Sequence, residues 1–227
     1  MDFAPYIDWN RTALLRLIAV VFGSIGLGEG ARPATLTRAM RLKVLHTLRP
    51  AESALRRLIF ALATELEHSG YVPPKWMKRA APEGLIAGGE TRAFTPAFRL
   101  IDPRKWFWTL GTKSRPRAKH MPWISSFDEV RPPLPAPPPV PTDDDPMDAV
   151  LICNRLVALK SALDDLPKQA KRLLRLKARS ERRFTFKHPM RPGLPPGWRQ
   201  RGRDEIDEVL RECHQLGVWA KQAPDTS

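Results

Sequence analysis

The sequence predicts a mostly α protein, with an N-terminal three-helix unit and a C-terminal helical unit joined by an irregular proline-rich segment. Three observations carry this. Apolar residues recur at helical spacing through residues 8–70 and again through 149–220. Fifteen of the 24 prolines fall between Pro73 and Pro146, where they exclude both helix interior and central strand. That total is about twice the usual proline share, so the interruption is a property of one region. The expected boundaries are 1–70, 71–146 and 147–227, with 131–146 disordered.

The first helix is expected over residues 8–27, capped by Asp8 or Asn10, with Leu14, Leu17, Ile18, Val21, Phe22 and Ile25 on one face. The glycines from Gly23 to Gly30 close that helix and lack the Lys-Ser/Thr of a phosphate loop, so they read as a C-cap and turn. A second helix starts at Thr35 or Thr37 and ends at Leu48, where Arg49-Pro50 breaks the ladder. Pro50 then opens a third helix with the stripe Ala51, Leu55, Leu58, Ile59, Leu62 and Leu66, ending near Gly70. In it Glu52 and Arg56 form an i,i+4 pair expected on a solvated surface. Arg49-Pro50 is too abrupt for the turn of a DNA-reading helix-turn-helix.

The middle of the chain holds one cluster of aromatics among cations, with Trp106 and Trp108 beside Arg104, Lys105, Lys113 and Arg115. Rings beside cations suit stacked bases and phosphates, or a membrane interface, and equally serve to anchor a loop on a helical core. The tract from Arg131 to Pro146 has eight prolines and reads as an extended linker, closed by Asp143, Asp144 and Asp145 as caps for a helix starting at Met147.

From Met147 to Arg183 runs a heptad seam. Ala149, Ile152, Leu156, Leu159, Leu163, Leu166, Ala170 and Leu173 alternate at spacings of three and four. Lys168, Lys171, Arg172, Arg175, Arg179 and Arg182 take the outward positions of the same register. Pro167 either kinks this helix or starts a near-collinear second one. A last helix, over residues 203–220, carries Ile206, Val209, Leu210, Cys213 and Leu216. Its first turn holds Asp204, Glu205, Asp207 and Glu208, acids that suit the helix N-terminus or fold back on the basic helix.

Three stretches, Arg49–Leu58 (RPAESALRRL), Leu163–Lys168 (LDDLPK) and Leu194–Arg199 (LPPGWR), resemble bacterial proteins of unassigned function. The resemblance implies a bacterial, cytosolic protein and supplies no activity or site.

Charge bounds the function classes. The net charge is +14, and residues 168–203 alone hold 13 Lys/Arg against one acid. Such a concentration favours an anionic partner: nucleic acid, lipid headgroups or acidic protein. The candidate anion-binding residues are Lys168, Lys171, Arg172, Arg175, Arg179, Arg182, Arg199 and Arg201, with Trp106, Trp108 and Trp198 as stacking candidates. The apolar run Leu17–Leu27 is too short for a bilayer span, so integral membrane insertion is not expected and the compartment is read as cytoplasmic. Cys153 and Cys213 fit buried thiols, no four-ligand metal spacing occurs, and no cofactor is implied. The five histidines are scattered and no nucleophile elbow is present, so the chain does not read as an enzyme.

Three functional readings fit these features. The first is a non-enzymatic basic binding or adaptor protein that contacts nucleic acid through the cationic helix face. The second is an interaction module, or self-association, pairing through Ile152, Leu156, Leu159, Leu163, Leu166 and Leu173. The third is attachment to a membrane surface.

Overall fold

In a computed structural model, the described residues are 3–27, 33–74, 96–103, 142–181 and 188–222. The chain forms two units, residues 1–103 with 143–227, and residues 104–142. The first unit holds α1 (Ala4–Ser24), β1 (Thr35–Thr37), α2 (Arg38–His68), β2 (Pro146–Asp148), α3 (Val150–Asp164), α4 (Leu166–Glu181) and α5 (Glu205–Gln222). It is mostly helical, as the periodicity predicts. Helices from the two ends of the chain share one core.

The second and third predicted helices run as one. α2 passes through Pro50 without ending, so the N-terminal region has two long helices instead of three. Pro50 still removes a donor: the carbonyl of His46, four residues back, has no helical N–H to accept. Arg199 supplies the replacement, its Nη2 donating to His46 O at 2.9 Å. Gly197 lets the loop come this close. A Cβ there would lie 2.8 Å from the Pro50 nitrogen, and its φ of +86° is one that side chains disfavour. Two of the resembling stretches, Arg49–Leu58 and Leu194–Arg199, therefore pack directly on each other.

α2 is the central helix. Every residue from Ser53 to Ile59 is buried, because α1, α3, α4 and α5 surround it. Its start is capped by three acceptors: Thr37 Oγ1 for Met40 N, and the carbonyls of Asp145 and Asp143 for Arg38 N and Ala39 N. Asp143 and Asp145 thus cap α2 through their backbone, rather than a helix at Met147. Met147 instead sits in β2, which pairs antiparallel with β1 in the register Leu36↔Met147. α3 begins only at Val150, whose N–H donates to Asp148 Oδ1.

α1 starts four residues earlier than predicted. Neither Asp8 nor Asn10 caps it: Pro5 lies in the first turn, and Asn10 is buried inside the helix. Its end follows the prediction, with Gly26 at φ +65° and Leu27 N donating back to Phe22 O.

The heptad seam is divided at Pro167. α3 ends at Asp164, and α4 starts afresh at Leu166 with Asp165 Oδ1 accepting from Lys168 N. Pro167 orphans the Leu163 carbonyl as Pro50 does that of His46. Here Arg11 fills the gap, donating from Nε to Leu163 O at 2.8 Å and from Nη2 to Asp164 O at 3.0 Å. All eight seam residues are at most 5% exposed. The apolar register survives the break because both helices face the same core.

Residues 96–103 lie extended against the helices. Phe98, Leu100 and Asp102 alternate inward, so two apolar side chains and one carboxylate enter the interior. Among the described residues, no helix is long and apolar enough to cross a membrane.

Candidate nucleic-acid interface

α4 carries the charge. Its inner face is buried through Leu166, Ala170, Leu173 and Leu174, which fixes the rotation of the helix about its axis. Lys168, Arg172, Arg175 and Arg179 are then exposed, and Lys171 is half-buried. These five lie at positions i, i+3, i+4, i+7 and i+11, a continuous stripe on the helix surface.

Among the described residues, the contacts of Lys168, Lys171 and Arg172 neutralise little of the stripe's charge. Lys168 approaches Asp165 at 3.8 Å, an exposed contact of little energetic weight. Arg172 donates to Phe98 O at 2.9 Å and Lys171 lies over the Tyr71 ring at 5.7 Å, contacts that position each cation without cancelling its charge. Lys177 is different, since it pairs with Glu67 at 2.8 Å. Among the described residues, Lys171, Arg172 and Arg175 make no ion pair. The like-charged i,i+4 pairs 168/172, 171/175 and 175/179 each disfavour the helix by about 0.2–0.5 kcal/mol. A bound polyanion would reverse that sign.

Other predicted site residues are used differently. Arg199 is an internal strut, bound to His46 O, to Asp204 at 3.0 Å and to Asp207 at 3.1 Å. Trp198 is partly buried, edge-on to His214 and beneath the Arg211 guanidinium, so its ring is not open to a base. Arg201 is exposed on the loop before α5. Arg182, Trp106 and Trp108 lie outside the described residues. Among the described residues, Asp204, Glu205 and Asp207 at the start of α5 pair away from the basic helix. Asp204 and Asp207 hold Arg199, Asp204 lies 3.5 Å from His46, and Glu205 pairs with Arg16.

The proposed protein-pairing surface is spent inside the chain. Ile152, Leu156, Leu159, Leu163, Leu166 and Leu173 are all buried against this chain's own helices, leaving none for a partner.

A buried charge network escapes the sequence reading. Asp102 accepts from Arg56 Nη1 and Arg57 Nη2, each at 3.2 Å, and from Arg191 N at 3.3 Å. Arg57 is fully buried and also donates to Ser53 O, Ser53 Oγ and His214 Nδ1. Glu52 accepts from Arg56 and takes both prongs of Arg155, at 2.8 and 2.9 Å. The Glu52–Arg56 pair is therefore interior rather than on a solvated face. Adjacent arginines in a helix give no sign of burial; only the arrival of Asp102 from a distant segment makes it tolerable.

Burial shifts the groups around this network. Desolvation lowers the Arg57 guanidinium below its ordinary value, opposed by Asp102. His214 is held below 6.5 by desolvation and then by Arg57. Its Nδ1 accepts from Arg57 Nε, which leaves the proton of the neutral ring on Nε2. His188 is also lowered, chiefly by desolvation, while its backbone contact to Met190 opposes the shift. Cys213 is fully enclosed and its thiol is pushed strongly up, so it is inert; Cys153 is likewise buried, and the two cysteines form no disulfide. Among the described residues, no group of three or more His, Cys, Asp or Glu is arranged to hold a metal ion.

No family model matches this chain, and comparison with curated proteins and with solved structures found no match.

Proposed function

We propose that this is a non-enzymatic binding protein that contacts nucleic acid through the outer face of α4. The observation that carries the reading is the stripe of Lys168, Lys171, Arg172, Arg175 and Arg179, outward on a helix whose other face is locked in the core. The helix needs that apolar face to fold. It does not need Lys171, Arg172 and Arg175, which make no ion pair among the described residues, so their charge is available to phosphates. The stripe holds no exposed apolar side chain, which favours a polyanion over insertion into a lipid surface.

Fluorescence anisotropy with labelled duplex DNA, single-stranded DNA and RNA tests this. Affinity should fall steeply as salt rises from about 50 to 300 mM, because each neutralised phosphate releases counterions. Binding that ignores salt, or affinity for anionic vesicles with none for any nucleic acid, overturns the reading. The 260/280 nm absorbance ratio of the purified protein, before and after a high-salt wash, gives an independent check.

A further inference from the structure

A second surface differs from the first in charge and composition. The start of α1 and the second half of α5 frame an open groove of about 510 Å³. Tyr6 and Trp9, one helical turn apart, face it from α1; Glu212, Leu216 and Trp219 face it from α5. Leu216 and Asn10, both 2% exposed, form the floor. Asn10 is fixed there, with Nδ2 donating to Tyr6 O and Oδ1 accepting from Cys213 Sγ. The three rings stay open to solvent: Trp9 is 72% exposed, Tyr6 56% and Trp219 39%.

We propose that this groove binds the methylated ammonium head of a small solute. Aromatic faces carry negative quadrupole charge and attract cations whose methyl groups also gain from apolar contact. Glu212 is the one charged side chain among the described lining residues, in a chain whose net charge is +14. The local sign therefore opposes the global one, as a cation site requires. Apart from Pro5, the exposed apolar side chains here are aromatic, and the volume is that of a small-molecule pocket rather than of a groove for a helix.

The test titrates choline chloride and tetramethylammonium chloride into the full-length chain, following the indole resonances by NMR. Sodium chloride and 3,3-dimethylbutan-1-ol, a neutral isostere of choline, serve as controls. Saturable shifts are expected with both ammonium salts and not with the controls. Trp9→Leu should weaken binding about tenfold and Glu212→Gln about threefold. Both positions are exposed, so the variants should keep the fold, which circular dichroism checks. Equal binding of the neutral isostere marks a merely apolar cleft and overturns the proposal. So does the absence of saturable shifts, or unchanged affinity in both variants.

Discussion

Arg199 donates to the main-chain carbonyl of His46 at 2.9 Å, the acceptor that Pro50 leaves open in the middle of α2. Arg11 does the same for Leu163, orphaned by Pro167. In both places a proline breaks the helical ladder and an arginine from elsewhere in the chain repairs it. The repair lets α2 remain continuous where its sequence reads as a stop. It also binds the loop around Gly197 to the central helix.

This relationship makes a double-mutant prediction. Arg199→Ala should cost about 2–3 kcal/mol, because it removes the partner of the His46 carbonyl and the cation paired with the buried Asp207 carboxylate, which among the described residues keeps only the Arg203 N–H. Pro50→Ala restores the helical donor, so the same Arg199 change should cost about 1 kcal/mol less in that background. Urea denaturation of the four proteins measures the coupling. Strict additivity would show that the carbonyl contact carries no energy.

Asp102 is bracketed by the guanidinium groups of Arg56 and Arg57. Asp102→Ala leaves two buried cations short of a partner and should cost about 3–5 kcal/mol, whereas Asp102→Asn keeps one of the two acceptor oxygens and should cost less. The denaturant midpoint reads both. A loss below about 1 kcal/mol for alanine would mean that water replaces the carboxylate.

Stability should fall as pH drops below about 6.5. His188 and His214 both have folded pKa values below the ordinary 6.5, so the unfolded chain binds more protons than the folded one in that window. The contribution is fully present above 6.5 and is lost between there and the lowered folded values. A variant carrying His188→Asn and His214→Asn should show a flatter pH profile between about pH 7 and 5.5 than the parent. Parallel profiles would assign the slope to other groups.

On α4, Lys171→Gln with Arg175→Gln should make the slope of log affinity against log salt shallower by about 1.8, one counterion term for each lost phosphate contact. Folding stability should hold or rise slightly, since like-charged i,i+4 pairs are removed. Lys177→Gln, which breaks a pair with Glu67, is the control and should change the slope less. Equal effects would move the interface off the stripe.

Leu159 is fully buried between the helices, so Leu159→Ala should lose about 2–5 kcal/mol of stability. The solution mass by sedimentation should stay the same. A change of oligomeric state would return the seam to an intermolecular role.

The sequence by itself determines the helical class and which faces are apolar, because a stripe at 3.6-residue spacing must be buried whatever covers it. The eight seam residues, the α5 stripe and the glycine closure of α1 were all legible for that reason. So were the outward positions of the α4 cations, since they share a register with the seam. What covers the seam was not legible: periodicity gives the rotation of a helix and not its partner, and the partners turned out to be this chain's own helices. Tertiary structure also decided whether a local break holds. Pro50 and Pro167 look alike in sequence, yet α2 runs on while α3 stops. Arg199 reaches His46 to replace the missing donor, whereas Asp165 caps a new helix and Arg11 closes the old one. The buried network is the clearest case. Glu52, Arg56 and Arg57 have the pattern of a solvated helix, and only Asp102, held by a segment some 45 residues on, brings their charges inside. Long-range charge pairing has no period along a chain, so no local reading finds it.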